Sequence, residues 1–481
     1  MTIRKILSVV AMVALLLPII AACGEQPIEQ PAAVELTVAA DKQSEYVLVY
    51  SQNATRNQIK EYKEFSSLLR EHTFVFFEMK TDAEPPVEGA KEILLGETNR
   101  AASAELYSSF GENQIGFLVK DQQIAIGASY KDGFLTAAEE FLTRYAKDYA
   151  VKVMSDLSLR IQCEMGIGYQ KVSNTRDIGG DDPWVVERNG SYYYCWSENG
   201  VKVAKVDSLD QIVKSRGKQV FSANGDFHNI WAPELHYIDG SWYIYVAMCW
   251  YSTENADHRM YVLKGSTQDP TDPFYFIGEV KESSGCWAID QTVFQYKGEL
   301  YTVWSGWPSQ DNGNQYLYIA HMRDPRTIDS DRVMISMPTK GYETVTTGPS
   351  VNEGPAVLVK DDRVIVVYSA NGSWTDDYLI TAIYCDDGNL LNAKSWTKLE
   401  KPLLSKGAST FGPGHCSFTT AIDGSLWMIY HANIKSGSGW NGRSVRIQPV
   451  EWKDNLPHIG IARTTVNLPV MMLVPSYEIK E

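Results

Sequence analysis

Ala232–Ala247 reads APELHYIDGSWYIYVA, a run that enters one strand, turns at Asp239-Gly240 and returns as a second strand dense in Trp, Tyr, Ile and Val. Asp-Gly between alternating β-branched and aromatic residues is a hairpin signal, because both residues tolerate the positive φ of tight primed turns. The unit recurs as DPWVVERNGSYYYCWS from Asp182, DQTVFQYKGELYTVWS from Asp290, EGPAVLVKDDRVIVVYS from Glu353 and HCSFTTAIDGSLWMIYH from His415. The turns are spaced about 50 to 65 residues apart, the length of a four-stranded blade with its loops. Five such units predict a mainly β protein whose large domain is a five-bladed β-propeller.

Roughly seven residues before each turn stand Asp182, Ala232, Asp290, Glu353 and His415, and the first strand of each propeller blade lines the central channel. Three carboxylates and an imidazole are therefore expected to share one axial pocket. Any one of these acids alone reads as a strand cap or turn former. Their recurrence at one register in four of the five units singles them out. Carboxylates crowded into a low-dielectric channel cannot all ionise, so at least one pKa must rise. Glycoside hydrolysis requires that division, an acid for the leaving oxygen and a base or nucleophile on the other face of the sugar. Glu234, two residues beyond its register position, points by strand periodicity to the same face.

The chain has 481 residues and a formal charge of -15. That length exceeds the ~150 residues of a typical domain, so a second unit is expected. The negative charge argues against nucleic acid, whose phosphates it repels, and leaves a neutral sugar acceptable. Every Trp lies at Trp184 or later, and only His72 among the histidines lies earlier. Before that divide, strand-like runs such as YVLVYS and EILLG alternate with the helix-like NQIKEYKEFSSLLREH and FLTAAEEFLTRYAKDY, a small α/β pattern. The expected organisation is thus an α/β accessory domain over 43–162 and the propeller over 163–481. Arg4 and Lys5 precede a short apolar run ending IIAAC, which reads as an export signal over 1–22. The ending is similar to a bacterial lipobox, which implies a lipid on Cys23, a tether over 23–42, and anchorage to the cell surface or outer membrane through that lipid alone. The other cysteines show no CxxC spacing, so a zinc site is not expected.

Over residues 165 to 475 the chain resembles glycoside hydrolase family 43, through DDPWVVERNGSYYYCWSE, IWAPELHYIDGSWYIYVA, WAIDQTVFQYKGELYTVWSGW, VNEGPAVLVK and FGPGHCSF in that order. The resemblance implies a five-bladed propeller and an inverting mechanism. It implies Asp182 as general base, Asp290 as the residue that orients and tunes the acid, and Glu353 as general acid. His415 matches an axial histidine that holds water or an ion, with a satisfied core histidine as the alternative. No cofactor is required, and a calcium or other ion in the channel near His415 is the one candidate. Arg446 falls near an arginine that faces the acid, with Arg443 as the competing assignment. Trp231, Trp184, Trp287 and Trp307 are candidates for a sugar-stacking rim, Trp231 first, while Glu234 reads as structural. The loop Trp250–Phe276 resembles that of members removing terminal α-L-arabinofuranose from arabinan or arabinoxylan of plant cell walls. The other readings are a β-xylosidase, an endo-arabinanase, and a surface lipoprotein that binds glycans without cleaving them. EILLGETNR and GFLTAAEEFL resemble an α/β domain found at the N-terminus of several glycosidases.

Overall fold

The computed structural model describes residues 32–174, 180–214, 216–310 and 313–480. The export segment, Cys23 and the first part of the tether lie outside the described residues. Two units are present, one formed by the chain up to Glu164 together with Pro475–Glu481, the other by Met165–Val474. The return of the last residues to the first unit has no counterpart in the compositional divide. The six cysteines from Cys163 onward are buried free thiols. Among the described residues no helix is long and apolar enough to cross a membrane.

The first unit is built on a sheet ordered β2-β1-β3-β5-β4. Its strands are β1 (Val47–Tyr50), β2 (Met79–Thr81), β3 (Glu92–Leu95), β4 (Gln114–Lys120) and β5 (Gln123–Ala128). β1, β2, β3 and β5 are parallel, and β4 is antiparallel to β5. The helices are α1 (Arg56–Thr73), α2 (Ala101–Ser109) and α3 (Phe134–Tyr145). α1 starts where Thr55 and Gln58 form a reciprocal capping box that satisfies two otherwise orphaned amides. Ala102 and Leu106 of α2 pack on Val49, Leu94, Leu118 and Ala125.

The second unit is a five-bladed β-propeller in which each blade is a sheet drawn from one continuous stretch of chain. The innermost strands are Trp184–Arg188, Phe227–Ile238, Ala288–Tyr296, Asn352–Lys360 and Phe411–Thr420, and each pairs with the strand that follows it. The hairpin turns carry left-handed residues as the sequence predicts, among them Asn189 (φ 53°), Asp239 (φ 45°), Lys297 (φ 52°) and Asp361 (φ 48°). Second strands run as nearly unbroken apolar segments because both of their faces are buried. In Arg363–Ala370, Val364, Val366 and Tyr368 face the third blade while Ile365 and Val367 face the fifth. Each of the five blade interfaces holds its own hydrophobic cluster, including the one where Trp427 and Ile429 of the last blade meet Val185 and Tyr194 of the first. A side chain buried this way contributes roughly 1.5–3 kcal/mol. Ser417 Oγ also accepts from the Val185 amide (3.2 Å) and donates to the Pro183 carbonyl (2.8 Å), so the ring closes without a shared sheet.

A β-bulge recurs in the innermost strands. Register slips between Trp231 and Glu234, Ile289 and Thr292, Glu353 and Ala356, and Gly414 and Ser417. The first bulged residue is left-handed in every case: Ala232 (φ 42°), Asp290 (φ 54°), Gly354 (φ 57°) and His415 (φ 43°), and Asp182 (φ 45°) takes the same conformation ahead of the first blade. This corrects the register assigned to the fourth blade. Gly354 holds the equivalent position, and Glu353 stands one residue before it. A bulge turns the strand locally and re-aims its side chains, which is how the inner strands present polar groups at the axis instead of continuing a flat ladder.

Candidate active site

Asp182, Asp290, Glu353 and His415 gather at the axis. His415 Nδ1 lies 3.1 Å from Asp182 Oδ1 and 4.0 Å from Asp290 Oδ2. The Gly354 amide donates to Asp290 Oδ2 at 3.0 Å. That contact needs the fourth bulge to be glycine, since a Cβ on Gly354 would stand 3.0 Å from His415 Cγ. Glu353 Oε1 accepts from the Tyr378 hydroxyl at 3.0 Å. Asp182 is held from three sides: its amide donates to His431 Nδ1 (3.1 Å), and Arg443 Nη1 lies 3.5 Å from its Oδ1 beside the His415 ring. Asp290 and Glu353 are buried, whereas the Asp182 side chain keeps 23% of its surface exposed, which leaves it open to water or a ligand.

These neighbours push the carboxyls apart in acidity. Burial works against the charge on Asp182, but the charged His415 and the Arg443 guanidinium prevail and hold it well below the usual carboxylate range. Glu353 moves the other way. Burial and then the nearby Asp290 charge raise it to about 7, against the pull of His415 and the Tyr378 hydrogen bond. Asp290 is raised as well, by burial with Asp182 adding to it. Burial alone would lower His415, yet the Asp182 and Asp290 charges lift it to about 10, so at neutral pH it is an imidazolium. One carboxyl is therefore ionised and another keeps its proton in the same pocket, the arrangement acid–base chemistry needs.

The remaining expectations divide. Arg443, not Arg446, is the arginine beside the acids. Arg446 lies three residues further along the same strand and so on its opposite face, buried, with Nη1 donating to Thr410 Oγ1 at 3.2 Å. Trp287 and Trp307 do not form a rim: they stack on each other (5.0 Å) inside a small cluster and are each 3% exposed. Trp184 is half-buried and spends its indole N–H on the Leu235 carbonyl (2.8 Å). Trp231 is 37% exposed and stacks on His258 at 3.7 Å. Glu234 is buried with Oε2 3.0 Å from His236 Nε2. Burial raises the acid and lowers the imidazole to about 3, so the pair is a hydrogen bond between neutral groups and not an ion pair. His415 turns Nδ1 to Asp182. Among the described residues no group of three or more His, Cys, Asp or Glu is disposed to hold a metal ion.

Several residues at this site escaped the sequence reading. Tyr378 and His431 lie in the fourth and fifth blades, on the segments that follow the first hairpin strand, where nothing in the pattern marks a polar residue as axial. Exposed Trp374 and Trp440 approach edge to face (6.2 Å), and Arg443 Nη2 donates to the carbonyl of Ser373 next to Trp374. Arg443, which also faces Asp182, ties this exposed aromatic rim to the acids, and both tryptophans lie on loops that carry no repeat signal.

A closed five-bladed propeller with three carboxylates of unequal acidity on its axis defines the class: a propeller with a glycosidase-like site. Residues 177–457 match the family described as Glycosyl hydrolases family 43, and the chain belongs to that family. It is 34% identical over 305 residues to an extracellular exo-α-(1→5)-L-arabinofuranosidase of Streptomyces avermitilis, covering 58% of this chain and 61% of the relative. It is 32% identical to α-L-arabinofuranosidase 43 of Humicola insolens, covering 61% and 64%. The chain thus spans less than two thirds of the length of either relative. The crystal structure of an α-L-arabinofuranosidase from Lactobacillus brevis superposes with a TM-score of 0.56 at 29% identity, over 61% of this chain and 98% of that one.

Proposed function

We propose that the protein is an inverting, exo-acting glycoside hydrolase that releases terminal α-L-arabinofuranose from arabinan- or arabinoxylan-type polysaccharide. The observation that carries this reading is the convergence of Asp182 and Asp290 on His415 at the axis, with Glu353 held beside them by the Tyr378 hydroxyl, an arrangement that pushes Asp182 and Glu353 in opposite directions of acidity. In the proposed reaction Glu353 gives its proton to the glycosidic oxygen as that bond breaks. A water held by Asp182 attacks the anomeric carbon from the other face and passes its proton to Asp182. The water becomes strongly acidic once its oxygen bonds that carbon, so a weakly basic carboxylate suffices. Asp290, fixed by the Gly354 amide, acts through Glu353 by raising its pKa. His415 and Arg443 keep Asp182 ionised. Trp374 and Trp440 offer apolar faces to a sugar ring.

The names of the two relatives support arabinofuranose as the sugar. We further propose that the chain is exported, is tethered through a lipid on Cys23, and meets its polysaccharide outside the cell. The test is incubation with arabino-oligosaccharides and, in parallel, with nitrophenyl arabinofuranoside and nitrophenyl xyloside. Release of arabinose monomers with no intermediate oligomers, and inverted configuration in the first product by proton NMR, is the expected result. Faster release from the xyloside, early oligomers from linear arabinan, or a retained anomer would overturn the proposal.

A further inference from the structure

The first unit has a cavity of about 390 Å³ that the acid site does not use. It opens at the carboxyl ends of β3 and β5, among residues of α1, α2 and the β5–α3 loop, and Glu61, Tyr62, Gly96, Tyr107, Tyr130 and Asp132 line it. The chain leaves β1 through α1 toward β2 at one edge and leaves β3 through α2 toward β4 and β5 on the other side, so the crossovers diverge between β1 and β3. Open α/β sheets bind ligands outside the carboxyl ends of their strands near such a switch point, and this cavity lies beside it, reached from the β1 side by α1 and from β3 by Gly96.

Tyr62 lines the cavity, and among the described residues its hydroxyl has no hydrogen-bond partner, which leaves that hydroxyl to solvent or to a ligand. Three glycines let the tyrosines of the wall pack closely: a Cβ on Gly96 (φ 71°) would collide with the Tyr62 hydroxyl, one on Gly127 with the Tyr107 ring, and one on Gly133 with the Tyr130 ring. The wall carries two carboxylates, Glu61 and Asp132, near enough to interact. At the start of α1 the capping box uses the Thr55 and Gln58 amides, two of the donors an anion would take. Phenolic hydroxyls, carboxylates that accept from vicinal hydroxyls, and aromatic faces for C–H groups together suit a neutral polyhydroxylated ring.

We infer that the α/β unit carries its own binding site for a neutral sugar, in the cavity formed by Glu61, Tyr62 and Tyr107. The inference does not depend on the propeller's activity. It makes the first unit a recognition module, and its test separates the two sites. All 13 tryptophans lie at Trp184 or later, so indole emission responds to sugar in the propeller, while calorimetry responds to both units. The full chain is titrated with L-arabinose and with D-xylose, neither of which can be hydrolysed. The expected result is binding heat without a matching change in emission, weakened roughly tenfold or more by Glu61→Gln and by Tyr62→Phe. Tyr62→Phe keeps the ring and its packing on Phe134. Hydrolysis of nitrophenyl arabinofuranoside serves as the control and stays at the wild-type rate in both variants. Isotherms of either folded variant that superpose on the wild type, the absence of any sugar binding outside the propeller, or tighter binding of inorganic phosphate than of both sugars would each overturn it.

Discussion

At the scale of single residues, proton positions decide the chemistry. Glu353→Gln removes the proton and Asp182→Asn the base, and each is expected to lower turnover of arabino-oligosaccharides by ~10²-fold or more with the circular dichroism spectrum unchanged. For Glu353→Gln the loss should shrink on nitrophenyl arabinofuranoside, whose leaving group departs without protonation. An equal loss on both substrates would remove Glu353 from the acid's role. The pH profile follows from the same groups. Glu353 must hold its proton, and with its pKa at about 7 the rate should fall as pH rises through neutrality, whereas an unperturbed carboxyl would have lost activity by about pH 5. The Tyr378 hydroxyl stabilises the ionised form of Glu353, so Tyr378→Phe raises that pKa and moves the basic limb to higher pH. A limb that stays in place in the variant, or moves down, would show that another group controls it.

At the scale of elements, the repeated bulge makes the site. The bulge position takes Ala, Asp, Gly and His, so its cost differs between blades. A residue with a Cβ in the left-handed region bears about 1–2 kcal/mol of strain. Gly354→Ala is therefore expected to destabilise the protein by at least that much, because the new methyl also presses on His415, and to lower activity by displacing the amide that holds Asp290. Ala232→Gly, at the same position in the second blade, should have the opposite sign or none. Thermal unfolding of the two variants checks the pair, and parallel losses in both would mean that the left-handed backbone is not the source of the strain.

The hairpins were legible because Asn-Gly and Asp-Gly carry their φ preference in their identity, as at Asn189 and Asp239. The bulge was not. Neither Ala232 nor His415 advertises a left-handed backbone, and the spacing to Asp361 puts the acid Glu353 where Gly354 belongs. Asp182, Asp290 and His415 could be found by register because each inner strand repeats. Tyr378, His431 and the Trp374–Trp440 rim could not, because they depend on how a later strand end or loop folds back over the axis. Arg443 and Arg446 differ only in which face of one strand they occupy, which three residues of uncertainty in the strand's start suffice to invert.

At the scale of the whole molecule, the two units differ in how the chain completes them. Every blade is contiguous, and the ring closes through the cluster around Trp427 and Val185 together with the Ser417 hydrogen bonds. The α/β unit is discontinuous. Its final segment supplies the Ile479 amide to the Arg160 carbonyl (2.9 Å), the Ser476 hydroxyl to Glu164 (2.9 Å), and Glu478 to Arg144 (2.6 Å). A chain ended at Val474 should keep its hydrolytic rate while residues 32–164 become more open to limited proteolysis, read by mass spectrometry of the fragments. Unchanged protection of 32–164 would mean that the returning segment contributes little to that unit.

That interrupted path also sets an order of events during synthesis. Residues 32–164 leave the ribosome first, yet their unit lacks its last segment until the whole propeller has been translated, a wait on the order of tens of seconds. The guest in the middle of the chain can be finished before its host, and synthesis that stops at Val474 would yield a completed propeller on an unfinished companion.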